Sequence, residues 1–366
     1  MNRVTKIRRI GFKHGLIAMM MLAGAGTFSA SFAPAAAQSV PASKDELIKA
    51  AQREGKINIL ESGFTDAAFL RDIEEAMNAE YKINIRINGT GGPSMSQMVT
   101  RLIQEKQAKQ TPSTDLLYTS TRQRYSLQQA GVTDPVDWKR YDPTIQPEEL
   151  TADGSGLVLF ADRVGVVYNI NSIPPDMVPK TLEDLADPRY RGKLSTTPYG
   201  TGIGEAIMLF GTDRVMKLVE GMRKNIVGFA GSTEFRPVIT GEFPILAFTA
   251  SSAQALLEKE KGAPLDVTYP FQAYFLYSID MMKGALNPQA SRLFVVFLRT
   301  PKGQEILWKH RRQDSPFIPT SHMYAHVEQS RSAGEQVLLY TEADLLKHDA
   351  AFNEQVPAIN KMFRTN

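Results

Sequence analysis

Between residues 44 and 120 the chain alternates short apolar runs of strand length with longer amphipathic stretches, and after about residue 165 the alternation begins again. In "SKDELIKAAQREG", Leu47, Ile48 and Ala51 fall at helical spacing, with Ser43 as N-cap, Glu46 as its capping-box partner and Gly55 as the stop. "KINILES", "KINIRING" and "TDLLYTS" read as strands, and "TDAAFLRDIEEAMNAEY" and "GGPSMSQMVTRLIQEKQAK" as the helices between them. This order predicts a mostly parallel α/β sheet. The restart predicts a second one, since "GLVLFADRVGVVYNINSIP" holds two strand-like runs. Helix and strand patterns then alternate through "GEAIMLFG", "DRVMKLVEGMRKN", "IVGFA", "PILAFT", "SAQALLEKEKG" and "LDVTYP". "DPVDWKRYDPTIQPEEL" reads as surface loop. "PQASRLFVVFLRTPKGQEILWKH" and the tail after it read as helical.

The first residues bear on the compartment. "MNRVTKIRRIGFKHG" carries five Lys/Arg and no acid, and "LIAMMMLAGAGTF" and the small residues of "SASFAPAAAQS" follow. That is the layout of a secretory signal peptide, with cleavage expected near Ala37 and export to the periplasm. Arg8-Arg9 only loosely suggests a twin-arginine signal. Without residues 1–37 the chain has 37 Lys/Arg against 39 Asp/Glu, so its formal charge moves from +3 to −2. The basic balance therefore belongs to the leader, and no nucleic-acid partner is expected. Zero cysteines exclude disulfides, thiolate metal sites and a cysteine nucleophile. The remaining chain, roughly 330 residues, exceeds one ordinary core, which again favours two lobes.

"TPYGTGIGEA" (197–206) looks like a phosphate loop. Its glycines give G-x-G-x-G, which departs from the dinucleotide fingerprint, and no Gly-Lys-Ser/Thr follows. A simpler reading is that small residues at a helix start let backbone N–H groups approach an anion. "GTGGPSMSQ" (89–97), with Thr90, Gly91 and Gly92, repeats that device in the first half. Tight turns without a ligand are the bland alternative for both loops. Arg122 follows a strand end, where open α/β sheets place ligands, and Arg236 lies near Ser232; either suits a carboxylate or phosphate, and either suits plain solvation. His322 and His326 have zinc spacing if helical but lack a third ligand, so no metal is expected. No catalytic constellation is recoverable, and neither an enzyme activity nor a cofactor is expected.

"AAQREGKINIL", "DRVGVVYNINSIP", "TLEDLADPRYRGKLS", "ITGEFPILAF…KEKGAPLDVTYP" and "RLFVVFLRTPKGQEIL" occur together and in order. In that order the chain resembles periplasmic solute-binding proteins of ABC importers, in the branch that includes ferric-ion binders. The resemblance implies the two-lobed type II fold with hinge strands between lobes. It divides the chain into a signal peptide at 1–37, one lobe from 38–166 plus 270–318, and another from 167–269 plus 319–366. It also implies an anion held at Gly200, Thr201 and Gly202, with Ser232 in the next loop. Ser251 and Ser252 stand where that branch carries its paired iron tyrosines, and Phe64 lies near its early histidine. Serine hydroxyls supply no charge to ferric iron. Tyr274, beside the second hinge, is a candidate for stacking on a ligand or for core packing. The expectation is a monomer that captures a small anionic organic solute and passes it to an inner-membrane permease. The alternatives are a ferric-ion binder with other ligands and a receptor that reports to a sensor kinase.

Overall fold

The computed structural model describes residues 40–60, 66–92, 94–198, 200 and 202–364, without the side chains of 349–353. The chain opens with α1 (Lys44–Glu54), β1 (Lys56–Leu60), α2 (Ala67–Tyr81), β2 (Arg86–Thr90), α3 (Met95–Gln107) and β3 (Leu116–Ser120). The Glu46 N–H donates to Ser43 Oγ at 3.3 Å, and Gly55, at φ 68°, closes α1 in the left-handed conformation that glycine adopts without strain. β1 pairs in parallel with both β2 and β3. α4 (Thr121–Ala130) follows β3 directly, and β4 (Gly156–Arg163) then leads to β5 (Gly165–Asn169) through Val164 alone.

The second sheet begins with β5. It continues through β6 (Leu194–Thr196), α5 (Ile203–Phe210), α6 (Thr212–Arg223), β7 (Ile226–Phe229), α7 (Arg236–Thr240), β8 (Ile245–Thr249), α8 (Ser252–Glu260) and β9 (Leu265–Thr268), in strand order β7-β6-β8-β5-β9. β10 (Gln272–Met281) then returns to the first sheet. It runs antiparallel to β4 on one edge and to β3 on the other. α9 (Pro288–Leu298), α10 (Pro301–Arg311), α11 (His322–Ser332), β11 (Val337–Tyr340) and α12 (Glu342–Arg364) complete the chain. Each sheet has its own apolar core, one around Phe160 and Phe294 and one around Tyr190 and Phe248. The result is the mixed α/β, two-lobed type II architecture. Among the described residues no helix is long and apolar enough to cross a membrane.

Three details differ from the pattern reading. α4 is an unexpected helix whose composition is polar; Leu127 and the aliphatic stem of Arg124 are buried, and the Arg124 guanidinium donates to Ser278 Oγ at 3.3 Å. The late apolar stretch divides at Thr300, which caps α10 with Pro301 behind it. β11 interrupts the helical tail, pairing with Gln272–Phe275 of β10, and α11 packs Met323 and Val327 on the same sheet beneath Tyr274. Residues 319–340 thus join the first sheet, where the expected division put them in the second lobe. α12 then crosses over, burying Ile359 and Phe363 in the second core, against which Leu338 of β11 also packs. A third connection between the lobes follows from this, besides those at Val164 and at residues 269–271.

Candidate functional site between the lobes

Two cavities of about 690 and 720 Å³ meet at Met95, Thr233, Ala250, Ser251 and Tyr277, so they form one cleft between the sheets. From the first lobe, Tyr118 on β3 and Tyr277 on β10 reach it. Their rings stack at 5.1 Å and 10°, because Tyr277 lies one diagonal step from the residue opposite Tyr118. The Arg311 guanidinium lies 5.0 Å over the Tyr118 ring, a cation–π contact at the end of α10. Arg122, in the first turn of α4, lines the 690 Å³ cavity beside Ser120 and Gln123. The first wall is therefore aromatic and cationic.

The second wall is built at the carboxyl ends of β6, β7 and β8. Ser232, Thr233 and Ser251 bring hydroxyls to it. Ahead of Ser251, two residues of β8 face one of β5, and in that bulge Phe248 has φ 61°. Left-handed backbone is rare for a bulky residue and costs about 1–2 kcal/mol. Here it turns the end of β8 toward the cleft. Gly202 is packed behind it: a Cβ there would come within 2.7 Å of Phe248 Cβ and 2.8 Å of Val164 Cγ1.

Two glutamates complete this wall. Glu205, in the first turn of α5 and only 1% exposed, accepts the Gly202 N–H at 2.6 Å. Burial pushes its carboxyl up to about 7, against the pull of that N–H and of Arg122. Glu234 accepts the Gly231 N–H at 2.7 Å in the neighbouring loop. Of the amides expected to meet a ligand anion, that of Gly202 already serves a carboxylate of the chain itself.

The structure brings Arg122, Ser232 and Ser251 of the expected set to one cavity. It places others elsewhere. The Ser252 hydroxyl, with one proton to donate, lies 2.7 Å from Asp162 Oδ1 and 2.8 Å from the Arg163 carbonyl, so it ties α8 to the end of β4. Tyr274 is fully buried among Val158, Leu276 and Met323, a core role. Arg236 is exposed on α7, beside a further pocket that shares Thr233 and Gln254 with the cleft, and does not line either of the two cleft cavities. Gly200, at φ 68°, packs against α12, where a Cβ would fall 1.9 Å from Val356 Cγ1. Thr90, Gly91 and Gly92 do not line the cleft; a Cβ on Gly92 would strike Met98, and Ser94 and Ser96 of the following turn line the cavity instead. Phe64 and Thr201 lie outside the described residues. Sequence reasoning missed Tyr118, Tyr277, Glu205, Glu234 and Arg311. Glu205 had a signal, since it stands three residues after the glycine that precedes a helix.

Asp162 links the lobes. Fully buried, it accepts from Ser252 and from the Ala253 N–H of α8 at 3.2 Å on one side, and from Gln313 Nε2 at 3.0 Å on the other. Burial pushes its carboxyl up to about 7, which these donors oppose. Nearby, Arg163 stacks on Tyr269 at 3.7 Å, and the Val164 N–H donates to the Ala273 carbonyl at 2.8 Å, joining the first two crossovers. Among the described residues no group of three or more His, Asp or Glu is placed to hold a metal ion.

Residues 111–348 match the family of bacterial extracellular solute-binding proteins. The chain belongs to that family. It is 26% identical over 220 residues to an uncharacterized protein of Haemophilus influenzae and 23% identical over 211 residues to an Fe(3+)-binding periplasmic protein of Serratia marcescens. These alignments span 55% and 56% of this chain and 62% and 57% of those relatives. The periplasmic binding protein AfuA of Actinobacillus pleuropneumoniae, solved with fructose-6-phosphate, superposes with a TM-score of 0.61 at 19% identity, covering 83% of this chain and 98% of that one. That likeness concerns the fold. For this solute-binding protein it means two lobes around a cleft, the arrangement the two sheets form here.

Proposed function

We propose that this solute-binding protein captures a small organic solute with an acidic group in its interlobe cleft, in the periplasm, and delivers it to an ABC importer of the inner membrane. The observation that carries the reading is the pair of guanidinium groups, Arg122 and Arg311, on the first wall of a cleft whose second wall is rich in hydroxyls. Guanidinium groups bind carboxylate and phosphate through paired, charge-assisted hydrogen bonds. Serine, threonine and tyrosine hydroxyls suit the uncharged remainder of such a solute. The solute bound to AfuA, fructose-6-phosphate, has this chemistry. At Ser251 and Ser252, where the ferric branch is expected to carry tyrosines, one side chain faces the cleft and the other is tied to Asp162. This supports an organic ligand over an iron ion.

The test is a thermal-shift screen of phosphonates, sugar phosphates, carboxylates, polyamines and thiamine, followed by calorimetry on whatever stabilises the protein. A ligand that binds the folded state raises the melting temperature by mass action. The expected hits carry an acidic group and lose affinity in Arg122→Ala. A polycation as the only hit would defeat the reading.

A further inference from the structure

Helix α8 of the second lobe is held to the first lobe at both of its ends. At its N-terminus the Ser252 hydroxyl and the Ala253 N–H meet Asp162 Oδ1, while Asp162 Oδ2 accepts from Gln313 Nε2. At its C-terminus Glu260, the last residue of the helix, accepts from Arg312 Nε at 2.9 Å and lies 2.7 Å from Arg312 Nη2. Arg312 and Gln313 both come from the turn that ends α10. There Arg312 takes φ 51°, in a left-handed helix-end conformation that favours glycine or asparagine. Such backbone persists in other residues where the surroundings over-determine it. Here the side chain is fixed on two sides, since Nη1 donates to the Trp308 carbonyl at 2.9 Å within its own helix and Nε crosses to Glu260. The same turn borders the cleft: Arg311, Gln313, Asp162, Ser251 and Gln254 all line the 720 Å³ cavity. Ser251 is the N-cap residue of α8, so the placement of that helix sets where Ser251 stands relative to the end of α10.

We infer that Asp162, Arg312 and Gln313 form a latch between the lobes, which grips α8 at both ends and holds the second wall at the angle that sets Ser251 opposite α10. Asp162 and Arg312 are then positioning residues of the cleft, acting through α8 and its N-cap. Their importance for capture rests on the reading that the solute sits in this cleft, whereas the latch itself does not depend on what binds there. The two grips differ in strength. Asp162 is fully buried with both oxygens engaged, so its contacts cannot be exchanged for water without moving the helix. Arg312 and Glu260 are 23% and 49% exposed, and solvent weakens their attraction. The Asp162 end therefore carries the hold, and the Glu260 end trims the angle.

The experiment measures the distance between the lobes with no solute added. The chain has no cysteine of its own, so Lys49→Cys on α1 and Lys217→Cys on α6, both exposed, place one spin label on each lobe for pulsed electron paramagnetic resonance. Glu260→Lys sets a like charge against Arg312 at a surface position that does not endanger folding. It is expected to broaden or shift the distance distribution, and Arg312→Glu added to it is expected to restore the distribution of the parent. Asp162→Asn keeps the shape of the side chain but offers one acceptor oxygen in place of two, and is expected to give the larger shift. If Glu260→Lys, or a folded Asp162→Asn protein, retains the parent's distribution, the inference falls. If Glu260→Lys shifts the distances and Arg312→Glu does not restore them, the pair is not what holds the helix and the inference falls as well. None of these outcomes bears on the acidic-solute reading, which stands or falls on the ligand screen.

Discussion

The two walls of the cleft use different means to present charge. On the first-lobe wall, Arg122 and Arg311 extend from helices α4 and α10 toward a floor of stacked tyrosines. On the second, short loops after the strands fold carboxylates back onto their own backbone, at Gly202 and at Gly231. Arg311 is held over the Tyr118, Phe69 and Phe160 rings, whereas Arg122 sits in the first turn of α4 at the cavity wall, where a side chain can re-orient without moving the backbone. The second-lobe loop cannot, because Gly202 is wedged against Phe248 and Val164 and Glu205 is enclosed behind it. The contrast makes the second wall the rigid template and the first the adaptable grip.

The largest effect that tests this contrast is expected at Gly202. Valine there must adopt a left-handed φ and displace Phe248, costs that together reach about 2–5 kcal/mol. Urea unfolding should show the loss as a lowered midpoint. A Gly202→Val protein as stable as the parent would mean the loop has slack, and the second wall would lose its claim to rigidity.

Arg122→Ala is the counterpart on the adaptable wall. Loss of one charge-assisted contact is expected to weaken ligand binding by about 10–100-fold, or 1.5–3 kcal/mol. Calorimetry on the ligand found by screening measures it. Unchanged affinity would shift the acidic end to Arg311.

The buried carboxyls give a pH test. Asp162 and Glu205 both have folded-state values raised to about 7, above their ordinary values of 3.8 and 4.5. At these two groups the folded state therefore binds more protons than the unfolded one between those limits, and their contribution to stability is expected to fall as pH rises from about 4 to 7, opposite in sign to that of carboxyls held low in the fold, such as Asp72 and Asp153. Asp162→Asn should flatten that slope when chemical unfolding is followed at several pH values. A slope that survives the Asp162→Asn substitution intact would show that other groups set the pH response of the hinge.

The smallest effect is expected at Arg236, which sequence reasoning had grouped with the site. Exposed on α7, in a pocket that only borders the cleft at Thr233 and Gln254, it should tolerate alanine with a stability change within about 0.5 kcal/mol and no change in affinity. A large loss of binding would extend the cleft around Thr233 and redraw the second wall.

By itself the sequence determined the layers: strand and helix periods, the caps at Ser43 and Gly55 and the restart after residue 165 are local signals, and each is carried by neighbouring residues. It also carried enough ordered phrases to identify the family and to point to Arg122, Ser232 and Ser251. Tertiary structure alone decided which polar groups are spent on the protein and which face the cleft. Ser251 and Ser252 are adjacent in the chain, yet one meets the cleft and the other bonds to Asp162, 90 residues away. β11 was invisible because a four-residue apolar run between helices has no period of its own, and only β10 makes it a strand. The glycine loops looked like anion holders because a helix start attracts negative charge. The sequence could not show that Glu205 would meet that attraction first in the 197–206 loop, since a carboxylate's partner is set by the turn that aims it.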